Sequence, residues 1–99
     1  MAGVRVEILR LVDNAFPGFV ECQLIDSRGN RWNFIEKVPV VTTSYVSEDG
    51  TYPQTGIIGC EIISKANGVA YIDTTRPWGI ESVTGETRFE VPVEELVEE

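Results

Sequence analysis

The chain has no histidine and only two cysteines among its 99 residues. Histidine is the usual general base at neutral pH, so a cysteine or serine nucleophile would lack its ordinary activating partner. Two thiols are also too few for a disulfide scaffold or a thiolate zinc site. We therefore predict that Cys22 and Cys60 are reduced, buried and unreactive, and that the protein carries no cofactor.

Positive charge is scarce as well. Eight lysines and arginines stand against sixteen aspartates and glutamates, which gives a net charge of −8. A field of this sign repels the phosphates of nucleic acids and of anionic lipids. We expect neither nucleic acid nor a membrane among the partners of this protein.

Long hydrophobic runs are missing too. No stretch approaches the roughly 18 apolar residues that a membrane span requires. Within Met1 to Ile8 the charged residues Arg5 and Glu7 alternate with apolar ones, unlike the uninterrupted apolar region of a signal peptide. These features predict a cytoplasmic protein.

What the chain does contain is the pattern of an antiparallel sheet in a single domain spanning residues 1–99, which is the size of one core. If Ser27, Arg28 and Gly29 form a three-residue loop, Leu24 faces Trp32 across the hairpin and Cys22 faces Phe34. All four of these apolar side chains then share one face, which predicts the inner face of a hairpin.

A second hairpin is indicated by Asn67-Gly68, the strongest turn signal in the sequence. A two-residue turn, which this dipeptide favours, places Glu61 opposite Thr74. A three-residue loop that includes Ala66 would instead oppose Glu61 to Asp73. Only the second register would bring two carboxylates together.

The remaining segments complete the expected fold. The strand from Val4 to Val12 changes its apolar parity midway, which indicates either a bulge or a sharply coiled strand. A last hairpin is expected from Ile80 to Val83 and from Thr87 to Val91, followed by a helical turn that begins at Pro92. We predict an all-β, mainly antiparallel domain, a small barrel or strongly curled sheet of six to seven strands with a short C-terminal helical turn.

The candidate contact residues lie in two irregular segments. The segment Arg76-Pro77-Trp78-Gly79 joins a cation to an indole, and these side chains are common at protein interfaces. The alternative, which is the favoured one, is that Trp78 seals the end of the barrel. The long connection from Thr42 to Thr55 carries two tyrosines that would line the same rim. The predicted binding residues are Trp78, Arg76, Tyr52 and Tyr45.

Three segments, Phe16 to Cys22, Trp32 to Thr42 and Arg76 to Ser82, resemble a group of short, uncharacterised bacterial proteins. The resemblance covers most of the chain. It implies a bacterial cytoplasmic origin and brings no activity, cofactor or catalytic residue with it.

Three functions are compatible with these features. The first is a non-enzymatic interaction module that binds another protein, or itself, through the rim that contains Trp78. The second is an immunity-type inhibitor whose acidic surface is steered onto a basic toxin. The third is a metal-assisted hydrolase that uses carboxylates such as Glu61 and Asp73.

Overall fold

The computed structural model describes residues 2–42, 46 and 49–98. The elements in chain order are β1 (Ala2–Asp13), β2 (Phe19–Ile25), β3 (Arg31–Lys37), the short helix α1 (Val38–Val41), β4 (Gln54–Ala66), β5 (Val69–Asp73), β6 (Arg88–Pro92), a 3-10 turn (Val93–Glu95) and β7 (Leu96–Glu98). In this part of the chain no helix has the length and apolar character needed to cross a membrane.

The strands form one curled antiparallel sheet in the order β3-β2-β1-β4-β5-β6, a half-barrel, and β7 pairs with β1. This arrangement confirms the predicted fold class, including the short helical turn near the C-terminus. The buried apolar side chains of these strands form one core cluster, in which Phe34, Ile8, Leu24, Ile58 and Ile72 are among the largest that are completely enclosed.

The first hairpin has the predicted register. Leu24 pairs with Trp32 and Cys22 pairs with Phe34. Gly29 occupies the left-handed region at φ 83°, a conformation that glycine adopts without a steric penalty. Phe34 is fully buried, whereas Trp32 is partly buried against the core.

The second hairpin combines the predicted turn with an unpredicted bulge. Asn67 and Gly68 both have positive φ, at 55° and 80°, as a two-residue type I′ turn requires. The register then shifts between residues 62 and 64, where Ile63 is an extra residue on β4. As a result Glu61 pairs with Asp73, so the expectation that a two-residue turn would oppose Glu61 to Thr74 is wrong. The bulge lies where β4 has just changed partner from β1 to β5.

The bulge predicted in β1 is present. The pairing with β2 passes from Ile8 and Cys22 to Arg10 and Glu21, which leaves Leu9 as an extra residue. Apolar side chains on both sides of this bulge contact the core. The change of apolar parity in the sequence therefore has the predicted structural cause.

The expected last hairpin is only half formed. Residues 80–83 are not a strand, since β6 begins at Arg88 and the preceding segment is a set of turns. The segment is instead tied to the end of β5: the Thr74 hydroxyl donates to the Ile80 carbonyl at 2.7 Å, and the Ile80 amide donates to the Thr74 carbonyl at 3.0 Å. Thr74 is fully buried, so its hydroxyl requires this partner.

Two further elements were not predicted. Pro39 lies in the first turn of α1, a position that tolerates proline because the first amides of a helix have no partner within it. After Pro92 the chain makes the 3-10 turn and then adds β7, which pairs Val97 with Gly3 of β1.

Candidate functional site

Trp78 is held at the surface. Its side chain is 59% exposed, so it does not seal the end of the barrel as the favoured interpretation of the sequence required. The residue belongs to a tight turn in which the Gly79 amide donates to the Thr75 carbonyl and Gly79 has φ 66°. The turn follows the end of β5 and returns the chain to the surface of the sheet.

The position of the indole depends on a glycine in β4. A Cβ atom placed on Gly59 would lie 2.9 Å from Cδ1 and 3.0 Å from Nε1 of Trp78, and 3.0 Å from Cδ of Pro77. These separations are shorter than the carbon contacts of about 3.5–4.0 Å at which dispersion attraction is greatest. The indole and the proline ring therefore lie directly on the backbone of Gly59, which any larger residue would prevent.

A groove runs beside this tryptophan. It has a volume of about 330 Å³ and is lined by Ala2 and Gly3 of β1, Val97 of β7, residues 39–42 at α1, residues 55–57 and Gly59 of β4, and Trp78. We call it the Trp78 groove. None of these lining residues carries a charge, in a protein whose net charge is −8.

The floor of the groove is backbone because two glycines are neighbours across the sheet. Gly3 of β1 pairs with Gly59 of β4, and Val97 of β7 pairs with Gly3 on the other side. A Cβ on Gly3 would lie only 2.6 Å from Cγ2 of Ile57, so the isoleucine side chain bends over the space that a larger residue would fill. Val97, Ile57 and Trp78 thus surround a floor made of backbone.

Of the predicted binding residues that the structure describes, only Trp78 lines the groove. Arg76 is exposed and has no hydrogen bond or ion pair within the described part of the chain. Tyr52 is partly buried against the core and does not line the groove. Tyr45 lies outside the described residues. The long connection contributes through its two ends instead, since Thr42 and Thr55 both line the groove.

The opposed carboxylates, Glu61 and Asp73, are not equivalent. Asp73 accepts hydrogen bonds from the Thr75 amide at 2.8 Å and from Nε of Arg88 at 3.2 Å. The bonds from Thr75, together with Arg88, hold the pKa of Asp73 below its ordinary value. Asp73 therefore caps the following turn and pairs with a cation on β6. Over residues 2–42, 46 and 49–98, no group of three or more acidic or cysteine side chains is placed to hold a metal ion.

Both thiols are enclosed. Cys22 and Cys60 are free and buried. Burial raises the pKa of Cys22 to about 12 and that of Cys60 to about 11, because the apolar surroundings disfavour the thiolate. The nucleophilic form of either residue is therefore scarce at neutral pH.

Comparison with known proteins adds no further constraint: no family model, no curated protein and no solved structure matches the chain. The resemblance to short bacterial proteins stays a prediction. The geometry of the Trp78 groove is therefore the remaining guide to function.

Proposed function

We propose that this protein is a non-enzymatic interaction module that binds another protein through the Trp78 groove. The observation that carries the proposal is an indole 59% exposed and fixed on Gly59 at the border of an uncharged groove. Leaving so large an apolar side chain in water forgoes hydrophobic stabilisation on the order of 2 kcal/mol. A partner that covered the indole would recover that stabilisation.

The fixed position of the indole favours binding in a second way. A side chain that is already held in place loses little rotamer freedom when a partner covers it. Tryptophan and arginine are also the residue types most enriched among the side chains that dominate interface energetics, and Arg76 is two residues from Trp78. The cytoplasmic setting predicted from the sequence belongs to the same proposal and is supported by the two free thiols.

The test compares Trp78→Ala with Phe16→Ala. Phe16 is a matched control because its ring is 98% exposed, so its removal takes away an aromatic side chain that packs on almost nothing. The unaltered chain would first be used to capture its partner from a lysate of the source organism. The recovered partner would then be titrated by calorimetry against the unaltered chain and against both variants.

We expect Trp78→Ala to weaken binding by about 2 kcal/mol or more, with Phe16→Ala unchanged and with both variants melting within a few degrees of the unaltered protein. Equal affinity of the Trp78→Ala variant and the unaltered protein for the partner would exclude the groove as the binding site. A large loss of thermal stability in Trp78→Ala would show that the indole has a structural role instead.

A further inference from the structure

One edge of β4 is unpaired over its first half. Residues 54–60 pair with β1 on one side, and the pairing with β5 begins only at Glu61. Within the described residues, no strand pairs with the other edge of residues 54–59. In an antiparallel pair, alternate residues direct their N–H and C=O groups away from the partner strand. Thr55 and Ile57 are exposed along this stretch, whereas Gly59 is covered by Trp78, so the part of the edge before Gly59 can accept a further strand.

The turn that carries Trp78 is also what leaves this edge open. The neighbouring strand β5 ends at Asp73, opposite Glu61. Beyond that point the Thr74 amide donates to the Thr87 carbonyl, and the chain no longer pairs with β4. The chain then makes the turn and returns with Trp78 on Gly59. The indole thus stands at one end of the open edge and limits the length of any added strand.

The groove and the open edge share their residues. Thr55, Gly56, Ile57 and Gly59 belong to both. Six residues, from Gln54 to Gly59, span roughly 20 Å of extended chain, which is an ordinary strand length. A strand added here would form backbone hydrogen bonds with β4 and would place every second side chain against the groove or against Trp78. Affinity from the backbone and selectivity from alternate side chains are the two components of peptide recognition by strand addition.

The charges indicate which occupant fits. A second copy would bring its own charge of −8 against the −8 already present, which opposes self-association. Along β4, alternation places Glu61 on the same face as Ile57 and Gly59, and Glu61 is exposed with no ion pair within the described residues. A long cationic side chain that extends past the indole from the end of an added strand would therefore meet an unpaired carboxylate.

From these observations we infer that the partner of the Trp78 groove is an extended, basic segment of another protein, which adds as a strand along residues 54–59 of β4. The inference rests on the proposed function, because it specifies the form and charge of the partner that the groove would bind. The segment has apolar residues at alternate positions and a lysine or arginine at the end that reaches Glu61.

The experiment selects binders from a displayed library of random eight-residue peptides, using the purified full-length chain as bait. We expect the selected peptides to alternate apolar and polar residues and to be enriched in lysine or arginine at one end. In a synthetic copy of a selected peptide, N-methylation of the residues whose amides face β4 should weaken binding about tenfold, since each methyl removes a hydrogen bond and obstructs strand pairing. N-methylation of the intervening residues should have little effect.

Two measurements on the protein complete the test. Amides in residues 55–59 should exchange with solvent more slowly when the peptide is bound. Glu61→Gln should weaken a lysine-ended peptide by at most about fivefold, because an exposed ion pair is weak, and should reduce the salt dependence of binding. Glu81→Gln, which removes an exposed acid elsewhere, is the matched control and should change neither.

The outcomes separate this inference from the proposed function. Peptides that require Trp78 but tolerate N-methylation at every position would overturn strand addition and leave the groove as a binding site. Peptides that bind Trp78→Ala as tightly as the unaltered chain would overturn both. Three other outcomes would overturn the assignment of a basic partner segment. The first is the selection of acidic peptides whose binding depends on Arg76, and the second is the recovery of no peptide. The third is a dimer, detected by sedimentation, that is lost in Trp78→Ala.

Discussion

Gly59→Ala is the substitution that most directly tests how the groove is built. The added Cβ would lie 2.9 Å from Cδ1 of Trp78, whereas an ordinary carbon contact is about 3.5 Å or longer. The indole must therefore move by about 0.6 Å or swing away from the strand. Because the ring is 59% exposed, it has room to move into solvent.

The expected effect on stability is small. Gly59 has no positive φ to be strained by alanine, and replacing glycine by alanine at a compatible position stabilises a protein by about 0.4–1 kcal/mol through the unfolded state. The lost contact between Trp78 and the backbone acts in the opposite direction. We therefore expect the free energy of unfolding to change by less than about 1 kcal/mol.

The assay is the indole N–H region of a nitrogen-15 correlation spectrum, because the chain has only two tryptophans. The Trp32 N–H donates to Oδ2 of Asp26 at 3.0 Å, so its signal should stay in place. The Trp78 signal should shift, and affinity for any ligand of the groove should fall. Ser64→Ala, an exposed position on the same strand beyond the bulge, is the control. An unmoved Trp78 signal would refute the placement of the indole on Gly59, whereas a loss of several kcal/mol in stability would refute its freedom to move into solvent.

Three further predictions concern the core and its ionisable groups. Phe34→Ala should destabilise the fold by about 3–5 kcal/mol in a denaturant melt, the range for truncating a buried aromatic side chain. Ile35→Ala, on the exposed face of the same strand, should cost far less. Equal losses in the two variants would contradict the register. Desolvation raises the pKa of Glu36, so the folded state holds its proton more tightly than the unfolded state, and stability falls as pH rises from the ordinary carboxyl pKa through the raised one. Glu36→Gln should therefore be more stable than the unaltered chain at neutral pH, and this gain in stability should vanish in acid. Urea melts of both proteins from acid to neutral pH would measure the gain. A gain that does not depend on pH would argue against a titration of Glu36. Finally, Cys22 and Cys60 should react slowly with a thiol reagent in the native state and fast after denaturation, and rapid native labelling of either would contradict their burial.

The parts of the fold that were predictable are those in which local signals agree. In the first hairpin, the loop at Gly29 and the apolar alternation through Cys22 and Phe34 specify the same register, and the structure has it. The second hairpin shows the limit of this reasoning. Its turn at Asn67 follows from local conformational preference, but the bulge at Ile63 accompanies the change of β4 from one partner strand to another, which is a non-local event.

The binding groove was less accessible to sequence analysis for a similar reason. Trp78 and Arg76 attracted attention because of their residue types, yet whether the indole is exposed depends on the backbone of Gly59, which is distant in sequence. The pairing of Gly3 with Gly59 becomes visible only when the register of β1 against β4 is known. The glycines at positions 3 and 59 were visible in the sequence, but they identify a floor only after the two strands are aligned.

The pairing of β7 with β1 has a practical consequence for protein engineering. Ala2 and Glu98 are strand partners, and Ala2 and Val97 both line the Trp78 groove. An affinity tag or fusion partner attached at either end of this chain therefore begins beside the surface whose binding is to be measured. A circular permutant offers a remedy: a short linker would join residues 98 and 2, and new ends would open in the exposed loop at Arg28, none of whose residues lines the groove. Immobilised through those ends, the protein would present the groove to solvent.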